Sequence, residues 1–517
     1  MGEQVLIIGA GVSGLSAGCY ARMNGFVAHI LEMHTAPGGL CAGWRRDGYT
    51  IDGCVHWLVG SSPSHGLYRL WEELGVVPGL AMYRHDALLR VEDIGGETLV
   101  LHSDIDLLER HLLELAPEDS GLIREFTGGV RRLGRLTRSC AQIGRNGRRA
   151  PMQPWRLPGT LRALLSLRRW DGVSVSEFAE SFESPLLREG LSRVVEVPEF
   201  PVAGLMMTLA WQNERAAGYP LGGSQALAGA VERRFLRLGG TVEYGRRVNE
   251  ILVEDNRAVG VRLDDGTERR ADAVISSIDA HATLFDLLGG GGVNRRVRRR
   301  YEALPPFPPL LQVAFGVPRS VVDVPPTALG IDFPLEESVC IDGRRCTRLA
   351  AQVYSFDPEI APPGRTVVKV AVASDFERWT AVAEDPERYR DAKRAAADAA
   401  LAALAQRFPG IATRVEARDV ATPVTWARHT GNWQGSFEGW LRTTRTTGRA
   451  MAATLPGLGG FQMIGQWVVP GGGLPAVAAS GREAVRRLCN EYGRRFTTAV
   501  PGDVQEEVSV DDGRAAG

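Results

Sequence analysis

Lysine is nearly absent from this chain: only Lys369 and Lys393 occur, and arginine supplies the rest of the 60 basic residues. Any chemistry that needs a lysine amine therefore has only two positions from which to draw one. The charges almost cancel, because 61 acidic residues leave a net charge of −1. No overall field would attract nucleic acid or an anionic membrane surface.

Paired cysteines and long apolar runs are missing as well. The seven cysteines form no C-x-x-C pair, which argues against a zinc site and a disulfide framework. No run reaches the roughly 18 apolar residues of a membrane span. The chain leads directly into the apolar residues 5–8, without the basic region of a signal peptide. We therefore expect a cytoplasmic protein with reduced thiols and no metal centre.

What the chain does contain is a βαβ opening. Residues 5–8 predict a buried strand, 13–24 a helix and 27–31 a second strand. Residues 80–214 have the pattern of helices, whereas strand patterns return between 241 and 276 and again near 461. A chain of 517 residues is too long for one compact core, so two domains are expected.

These segments predict an α/β fold built around a Rossmann-type nucleotide-binding domain. That domain is expected to be discontinuous, with residues 1–75, 215–294 and 445–497. A mixed α+β substrate-binding or lid domain would be inserted as residues 76–214 and 295–444. Residues 498–517 are acidic and poor in apolar side chains, which predicts a disordered tail.

A G-x-G-x-x-G motif joins the first predicted strand to the first helix. Gly9 permits the tight turn, Gly11 lets the backbone approach a pyrophosphate, and Gly14 allows the helix to pack closely on the strand. Val12-Ser13 opens the helix, whose N-terminus carries a partial positive charge. Glu32 ends the second strand, where a carboxylate accepts hydrogen bonds from ribose hydroxyls. Together these residues predict a dinucleotide site.

A second glycine pair, Gly38-Gly39, follows the acidic residue and precedes the basic Arg45. Adjacent glycines suit close approach to a second phosphate or a sugar. Glu32 followed by Gly38-Gly39 resembles the E-x-x-x-x-x-G-G signature of FAD enzymes related to amine oxidases and phytoene desaturases. The resemblance implies non-covalent FAD rather than NAD, with Arg45 lying along the ribityl-diphosphate.

Further segments extend that resemblance over nearly the whole chain. Residues 219–224 look like the Y-P-x-G-G stretch of carotenoid desaturases and retinol saturases, and residues 465–475 resemble their C-terminal flavin motif. A helix starting near Pro475 would direct its N-terminus at the flavin pyrimidine. Gln466 stands where many such flavoproteins have an aspartate that binds a ribityl hydroxyl. The additional cofactor contacts implied are Met33, Val248, Gly465, Gln466, Gly473, Leu474 and Pro475.

Aromatic and histidine side chains are the candidates for the substrate side. Residues 422–433 resemble the T-P-x-T-x-x-x-x-T-G-N segment of polyene desaturases and carotenoid isomerases, which borders their substrate tunnel. The expected substrate contacts are Tyr219, Trp426, Trp433, Phe437 and Trp440. The expected catalytic residues are His56, Trp57 and His429. Packing between domains would explain the aromatic residues equally well, and a backbone-satisfied histidine at a strand end would explain His56.

Two absences narrow the chemistry. The strand predicted at residues 310–315 lacks the lysine that a related amine oxidase would place near the flavin, which disfavours amine oxidation. No second G-x-G-x-x-G follows a strand, so NADPH or NADH would reduce the flavin only by binding transiently on the substrate side or by acting through a partner. The basic stretch 161–170 predicts either a solvated cover helix or peripheral membrane contact. The arginine run 295–300 lacks the interleaved aromatic residues of a nucleic-acid site.

The sequence therefore predicts an FAD-dependent oxidoreductase of the phytoene-desaturase type. Hydride exchange with flavin N5 would act on carbon–carbon bonds of an apolar polyene or isoprenoid-like substrate. Desaturation, saturation, isomerisation and reductive cyclisation are all compatible with the motifs. Two alternatives use the same fold: non-redox binding of lipids or prenylated proteins, as in GDP dissociation inhibitors, and oxidation of an amine or amino acid.

Overall fold

The computed structural model describes residues 2–140, 168–194, 197–291, 293–445, 451–469 and 471–502. The basic stretch 161–170 lies outside these ranges except for its last three residues, and the predicted tail is described only to residue 502. The strands are β1 (Gln4–Ile8), β2 (Val27–Leu31), β3 (Gly43–Arg46), β4 (Tyr49–Asp52), β5 (Leu58–Val59), β6 (Met82–Tyr83), β7 (Ala87–Ile94), β8 (Glu97–His102), β9 (Ala217–Pro220), β10 (Thr241–Glu243), β11 (Val248–Glu254), β12 (Arg257–Leu263), β13 (Glu268–Arg270), β14 (Ala273–Ser276), β15 (Leu310–Pro318), β16 (Ala328–Ile341), β17 (Arg344–Val353), β18 (Arg365–Ala373), β19 (Ala417–Ala421) and β20 (Phe461–Met463). The α-helices are α1 (Val12–Met23), α2 (Tyr68–Glu73), α3 (Ile105–Leu115), α4 (Ser120–Cys140), α5 (Val175–Glu180), α6 (Pro185–Ser192), α7 (Val202–Asn213), α8 (Gly223–Arg237), α9 (Arg295–Ala303), α10 (Phe376–Ala383), α11 (Pro386–Arg407), α12 (Pro423–Thr430) and α13 (Gly473–Glu491).

The N-terminal βαβ unit forms the centre of a five-stranded parallel sheet. Its strand order is β10-β2-β1-β14-β20, so the chain contributes to it from both ends and from the middle. The apolar β1 is buried, as is usual for a parallel sheet covered on both faces. Residues of α1, α8 and α13 share one core with β1 and β2, and the β11-β12-β13 meander packs on the other side. The predicted Rossmann-type α/β class is confirmed.

A seven-stranded sheet in the order β19-β15-β18-β17-β16-β7-β8 makes the second layer. The hairpin β7–β8 comes from the first long insertion and β15–β19 come from the second. Parallel pairing of β7 with β16 joins the two insertions into one sheet. Helices α10 and α11 share a core with β15–β18, and helices α3–α7 form a separate core with β7 and β8.

The helical prediction for residues 80–214 is wrong at β6, β7 and β8. The clearest overlooked signal is the pair Gly95-Gly96, which joins β7 to β8 with φ angles of 61° and 87°. Two successive positive φ angles are typical of a tight hairpin turn. The pairing of β7 with β16, more than 200 residues away in sequence, could not be seen in a local pattern.

Short elements connect the two layers. The hairpin β3–β4 follows the second glycine pair, and the small sheet β5-β9-β6 lies after it. Tyr49 and Ile51 of β4 share a buried cluster with Ala314 of β15 and Tyr354 beyond β17. The hairpin that begins at the nucleotide-binding sheet therefore ends against the seven-stranded sheet. The loop after β4, residues 53–57, lies at this junction.

Candidate functional site

The turn between β1 and α1 has the geometry of a pyrophosphate cradle. Gly9 has a φ of 97°, and a Cβ atom on Gly14 would overlap the carbonyl oxygen of Gly9. Around Gly11, by contrast, a Cβ atom would meet nothing nearer than 4.0 Å. Gly11 also caps α1 without any side-chain hydrogen bond, so the first N–H groups of the helix, which lack an intrahelical acceptor, remain for a ligand. The lack of a side chain at Gly14 thus allows α1 to pack closely on the turn, and the lack of one at Gly11 leaves room for a ligand.

Glu32 is fixed beside this turn by two backbone donors. One carboxylate oxygen accepts from Ala10 N at 2.6 Å and the other from His34 N at 2.8 Å. Each oxygen keeps lone-pair capacity for a ribose hydroxyl. The backbone of Glu32 also accepts from Arg246 N at 2.8 Å, which brings the start of β11, and with it the buried Val248, to the same end of the site. The half-buried Met33 adjoins Gly431.

The second glycine pair lies directly against the first motif. Gly38 N donates to Ala10 O at 2.9 Å, and Gly38 pairs with Gly11 in a parallel bridge. Both Gly38 and Gly39 have positive φ angles, of 122° and 59°. Arg45, which follows on β3, is exposed, and no hydrogen bond or ion pair joins its guanidinium group to another described residue. It is placed to reach an anionic ligand along the glycine pair.

The C-terminal motif closes the same cradle from the other side. Gly465 has a φ of 97°, and a Cβ atom there would lie 3.2 Å from Ser13 Oγ. Helix α13 begins at Gly473, two residues earlier than expected, so Leu474 and Pro475 belong to its first turn. Gln466 is oriented by Asn432, whose Oδ1 accepts from Gln466 Nε2 at 3.4 Å.

A carboxylate lies at the start of α13, at a position that no sequence motif indicated. Glu438 is half-buried, and one of its carboxylate oxygens accepts from Gly473 N at 3.0 Å. Burial raises the pKa of Glu438, while the hydrogen bond from Gly473 opposes the shift. The end of α13 that would face a flavin pyrimidine therefore has an ionisable partner of its own.

A buried aspartate organises the loop after β4. Asp52 is 2% exposed, and its carboxylate accepts from the backbone of Cys54, Val55 and Ser224 and from the hydroxyl of Tyr219. Ser224 Oγ adds a further bond at 2.7 Å. Tyr219 is fully buried, and its hydroxyl donates to Asp52. This corrects the expectation that Tyr219 contacts substrate, because its side chain instead stabilises the loop.

His56 lies on this loop. The imidazole is accessible to solvent, yet burial lowers its pKa to about 3, with the nearby charge of Lys369 as the second cause. A hydrogen bond from His56 to Gln352 opposes this shift. His56 is therefore neutral at physiological pH. Trp57 lies beside it, with the ring centroids 5.9 Å apart.

Lys369, one of the two lysines, lies under this loop. It is 4% exposed on β18, and its Nζ donates to the backbone carbonyl of Asp52 at 3.2 Å. Gln312 on β15 donates to the same oxygen at 3.3 Å. The segment 310–315 does lack lysine, as the sequence shows, but its neighbour β18 pairs Lys369 opposite Ala314. The comparison of a single strand therefore missed a buried lysine. We call His56, Gln352 and Lys369 the polar cluster.

The predicted aromatic substrate residues fall into two groups. Trp440 is fully buried and donates its indole N–H to Trp467 O, and Trp433 stacks on His281 at 4.9 Å. Both belong to an aromatic core between the layers, which corrects the expectation of substrate contact for Trp440 and favours the packing interpretation for Trp433. Trp426 packs edge-on against Trp44, beside Gly53 of the loop, and Phe437 packs against Phe307. Trp426 is 5% exposed.

His429 is not brought into the polar cluster. Its Nδ1 lies 3.0 Å from Nε2 of His34, two residues after Glu32. The C-terminus of α12 thus meets the nucleotide end of the site. Of the three expected catalytic residues, only His56 and Trp57 lie together, on the loop 53–57.

The glycine cradle, the carboxylate of Glu32 beside it and the converging N-termini of α1 and α13 define an FAD-dependent oxidoreductase. The chain belongs to the family of flavin-containing amine oxidoreductases, whose sequence profile matches residues 12–489. Among the described residues, no helix is long and apolar enough to span a membrane.

Relatives by sequence are carotenoid enzymes. Prolycopene isomerase 1 of an Oncidium hybrid cultivar is 24% identical over 505 residues, which cover 94% of this chain and 84% of the relative. The lycopene-forming phytoene desaturase of Pseudescherichia vulneris is 28% identical over 382 residues, covering 70% and 74%. These relatives confirm the resemblance to phytoene desaturases and carotenoid isomerases and do not favour either alternative function.

Solved structures confirm the fold. An oxidoreductase from Methanosarcina mazei superposes with a TM-score of 0.59 at 18% identity and covers 93% of this chain and 100% of its own. A putrescine oxidase variant superposes with a TM-score of 0.58 at 14% identity and covers 95% and 99%. At such low identity the likeness establishes architecture and leaves the substrate open.

Proposed function

We propose that this enzyme binds FAD non-covalently and acts on carbon–carbon bonds of an apolar polyene or isoprenoid-like substrate. The observation that carries the proposal is the course of one hairpin. Gly38-Gly39, beside the pyrophosphate cradle, is followed by β3–β4 and then by the loop that presents His56. Cofactor cradle and substrate-facing side chains are therefore separated by a single hairpin. The names of the relatives, which act on prolycopene and phytoene, support a polyene as substrate.

The chain's own residues have distinct tasks in this proposal. Glu32 would hold the ribose, Gly11 and the start of α1 the pyrophosphate, and Arg45 the ribityl-diphosphate. Val248 would contact the adenine through its backbone. FAD supplies the hydride exchange. The loop 53–57 and Trp426 would orient the substrate and exclude water.

The expected division into domains remains part of the proposal. Residues 1–75, 215–294 and 445–497 would form the FAD-binding domain, which agrees with the strands of the parallel sheet. Residues 76–214 and 295–444 would form the substrate domain around the seven-stranded sheet. NADPH or NADH would act only as a transient reductant, and residues 161–170 would provide any peripheral membrane contact.

The test starts from the purified protein and its visible spectrum. We expect a flavin spectrum, with FAD released into the supernatant on heat denaturation because no covalent bond holds it. Incubation with phytoene or prolycopene should then change the absorption of the polyene only when FAD is bound. Bleaching by NADPH without oxygen would indicate a reductive reaction. A protein that is colourless and remains so after addition of FAD would overturn the proposal.

A further inference from the structure

Two free thiols flank the hairpin β3–β4 at the end where it leaves the second glycine pair. Cys41 precedes β3, and Cys54 lies in the loop after β4. The ladder of the hairpin extends beyond its two strands, because Gly53 N donates to Ala42 O at 3.0 Å. The next residues in the same register are Cys41 and Cys54. The backbone therefore sets the two cysteines opposite each other.

A third residue contacts both sides of this pair. Cys41 Sγ lies 3.7 Å from the backbone oxygen of Ser224 on α8. Val55 N, next in sequence to Cys54, donates to Ser224 Oγ at 2.8 Å. The thiol of Cys54 is the first cause, and burial the second, that raises the pKa of Cys41 well above its ordinary value. Register and contacts thus agree that the two thiols are neighbours.

Opposite positions in an antiparallel pair suit a disulfide. Their Cα atoms are roughly 4.5–5.5 Å apart, within the roughly 4.4–6.8 Å that a disulfide spans. A second pair of cysteines on neighbouring strands shows the contrast. Cys340 on β16 lies opposite Arg345 on β17, and Cys346 lies opposite Val339. Because side chains alternate between the two faces of a sheet, Cys340 and Cys346 point to opposite faces and cannot pair in this way.

We propose that Cys41 and Cys54 form a reversible disulfide that joins the loop 53–57 to the segment after the second glycine pair. The inference goes beyond the proposed function and does not depend on it. The backbone of Cys41 is already held to the glycine pair, because its N–H donates to Gly38 O at 3.0 Å. Oxidation would therefore fix the loop that carries His56 relative to the glycine pair, and reduction would release it.

The oxidant class is a peroxide, and the more accessible thiol reacts first. Cys54 is half-buried, whereas Cys41 is 3% exposed. The thiolate of Cys54 attacks one peroxide oxygen, the O–O bond breaks, and the other oxygen takes up a proton and leaves as water, so that Cys54 becomes a sulfenic acid. The sulfur of Cys41 then attacks the sulfenic sulfur. The S–S bond forms, the S–O bond breaks, and the hydroxyl group leaves as water with the proton of Cys41.

Two electrons have then passed from the two thiols to the peroxide. A dithiol reductant returns them by thiol–disulfide exchange. In a reducing compartment the pair would therefore be present as thiols and would close only under oxidising conditions.

The test treats the purified holoprotein with hydrogen peroxide, alkylates the remaining thiols with iodoacetamide under denaturing conditions and maps the peptides by mass spectrometry. We expect the peptides of Cys41 and Cys54 to be joined and to separate after treatment with dithiothreitol. The exposed Cys340 is the internal control, because its oxidation shows that peroxide reached the protein. In Cys41→Ser, dimedone should trap a sulfenic acid on Cys54, since no second thiol resolves it.

Thermal unfolding tests whether the geometry is free of strain. A disulfide that fits the folded protein stabilises it by restricting the unfolded chain. The midpoint of the linked protein should therefore lie at least about 2 °C above that of Cys54→Ser treated in the same way, and dithiothreitol should remove the difference. Cys340→Ser, the matched control at an exposed cysteine, should show the same rise as wild type.

Two results would overturn the inference. One is the absence of a link between Cys41 and Cys54 in protein whose Cys340 has been oxidised. The other is a linked protein that unfolds at a lower temperature than the treated Cys54→Ser variant, because the disulfide would then strain the fold. Peptide mapping needs no variant, so it decides the first point even if Cys54→Ser does not fold. Neither result depends on polyene turnover, so the proposed function is tested separately.

Discussion

The two ends of the candidate site are constructed in different ways. At the nucleotide end, Gly9, Gly11, Gly14 and Glu32 lie within one βαβ unit, and the carboxylate of Glu32 accepts a hydrogen bond from Ala10 of the same unit. At the substrate end, the polar cluster draws His56 from a loop, Gln352 from β17 and Lys369 from β18. Local geometry decides the first end, and the packing of two layers decides the second. Substitutions at the nucleotide end should therefore affect neighbouring residues only, whereas substitutions at the substrate end should affect the packing of both layers.

Asp52→Ala should have the largest effect, because this residue joins the loop to both layers. Its carboxylate receives five hydrogen bonds in a buried setting, and removal leaves those donors without an acceptor. We expect a loss of about 3 kcal/mol or more in the free energy of unfolding. Urea denaturation of the variant measures it. Asp86→Ala, at an exposed aspartate, is the control; equal stability of the two variants would contradict this role for Asp52.

A pair of glycine substitutions sharpens the contrast at the nucleotide end. Gly14→Ala should destabilise even the FAD-free protein by about 1–3 kcal/mol, since its Cβ atom would overlap Gly9 O. Gly11→Ala should leave the FAD-free protein within about 0.5 kcal/mol of wild type, because its Cβ atom meets no protein atom closer than 4.0 Å.

FAD content distinguishes the two glycines. Gly11→Ala should purify as a folded protein with at least a tenfold weaker affinity for FAD, because the methyl group would occupy the space of the pyrophosphate. Thermal unfolding without FAD and titration with FAD measure the two properties separately. Wild-type FAD affinity in a folded Gly11→Ala variant would show that the cofactor does not approach the backbone at this turn.

This contrast also explains what the sequence could predict. The turn of β1 and α1, the acid at Glu32 and the start of α13 are local patterns, and the structure places them within two residues of their expected positions. Only part of the polar cluster could be predicted from the sequence. His56 could be singled out from its distance to the glycine pair, but Lys369 required knowing which strand pairs with β15. Glu438 was missed because its partner Gly473 is distant in sequence, and Asp52 was missed because two of its partners, Ser224 and Tyr219, are distant as well. Trp440 was misplaced because an aromatic residue looks the same in a tunnel wall and in a core.

Asp279 should make the junction between the layers sensitive to pH. It follows β14, and its carboxylate accepts from the backbone of Ala282 at 2.8 Å and of Trp433 at 3.0 Å. Burial raises its pKa to about 7 from an ordinary value of 3.8. The folded protein therefore holds the proton more tightly than the unfolded chain, and this contribution to stability is full below pH 3.8 and is lost as pH rises to about 7.

The measurement is the free energy of unfolding of wild type and Asp279→Asn between pH 4 and pH 8. Each pKa unit is worth about 1.4 kcal/mol, so the wild type should lose a few kcal/mol relative to the variant across this range. The asparagine variant should start lower at acidic pH, because its amide group cannot accept from both backbone donors. Parallel pH profiles for the two proteins would exclude Asp279 as the titrating group.

The smallest effect is expected for His429→Gln, and it tests the position of the histidine most directly. His429 is exposed and shares a hydrogen bond with His34, so its replacement should cost less than about 1 kcal/mol in the free energy of unfolding. Burial and the neighbouring His34 lower the pKa of His429. The stability that this pair contributes is therefore present above the ordinary pKa of 6.5 and is lost as pH falls through the lowered value.

Turnover of the FAD-loaded His429→Gln variant with a polyene should match wild type, because the side chain meets the nucleotide end of the site. His56→Gln, which alters the side chain on the substrate-facing loop, is the matched comparison and should lose most of the activity. If His429→Gln abolished turnover while keeping its FAD, the histidine would have to reach the substrate, and the separation of the two ends would not hold in the working enzyme.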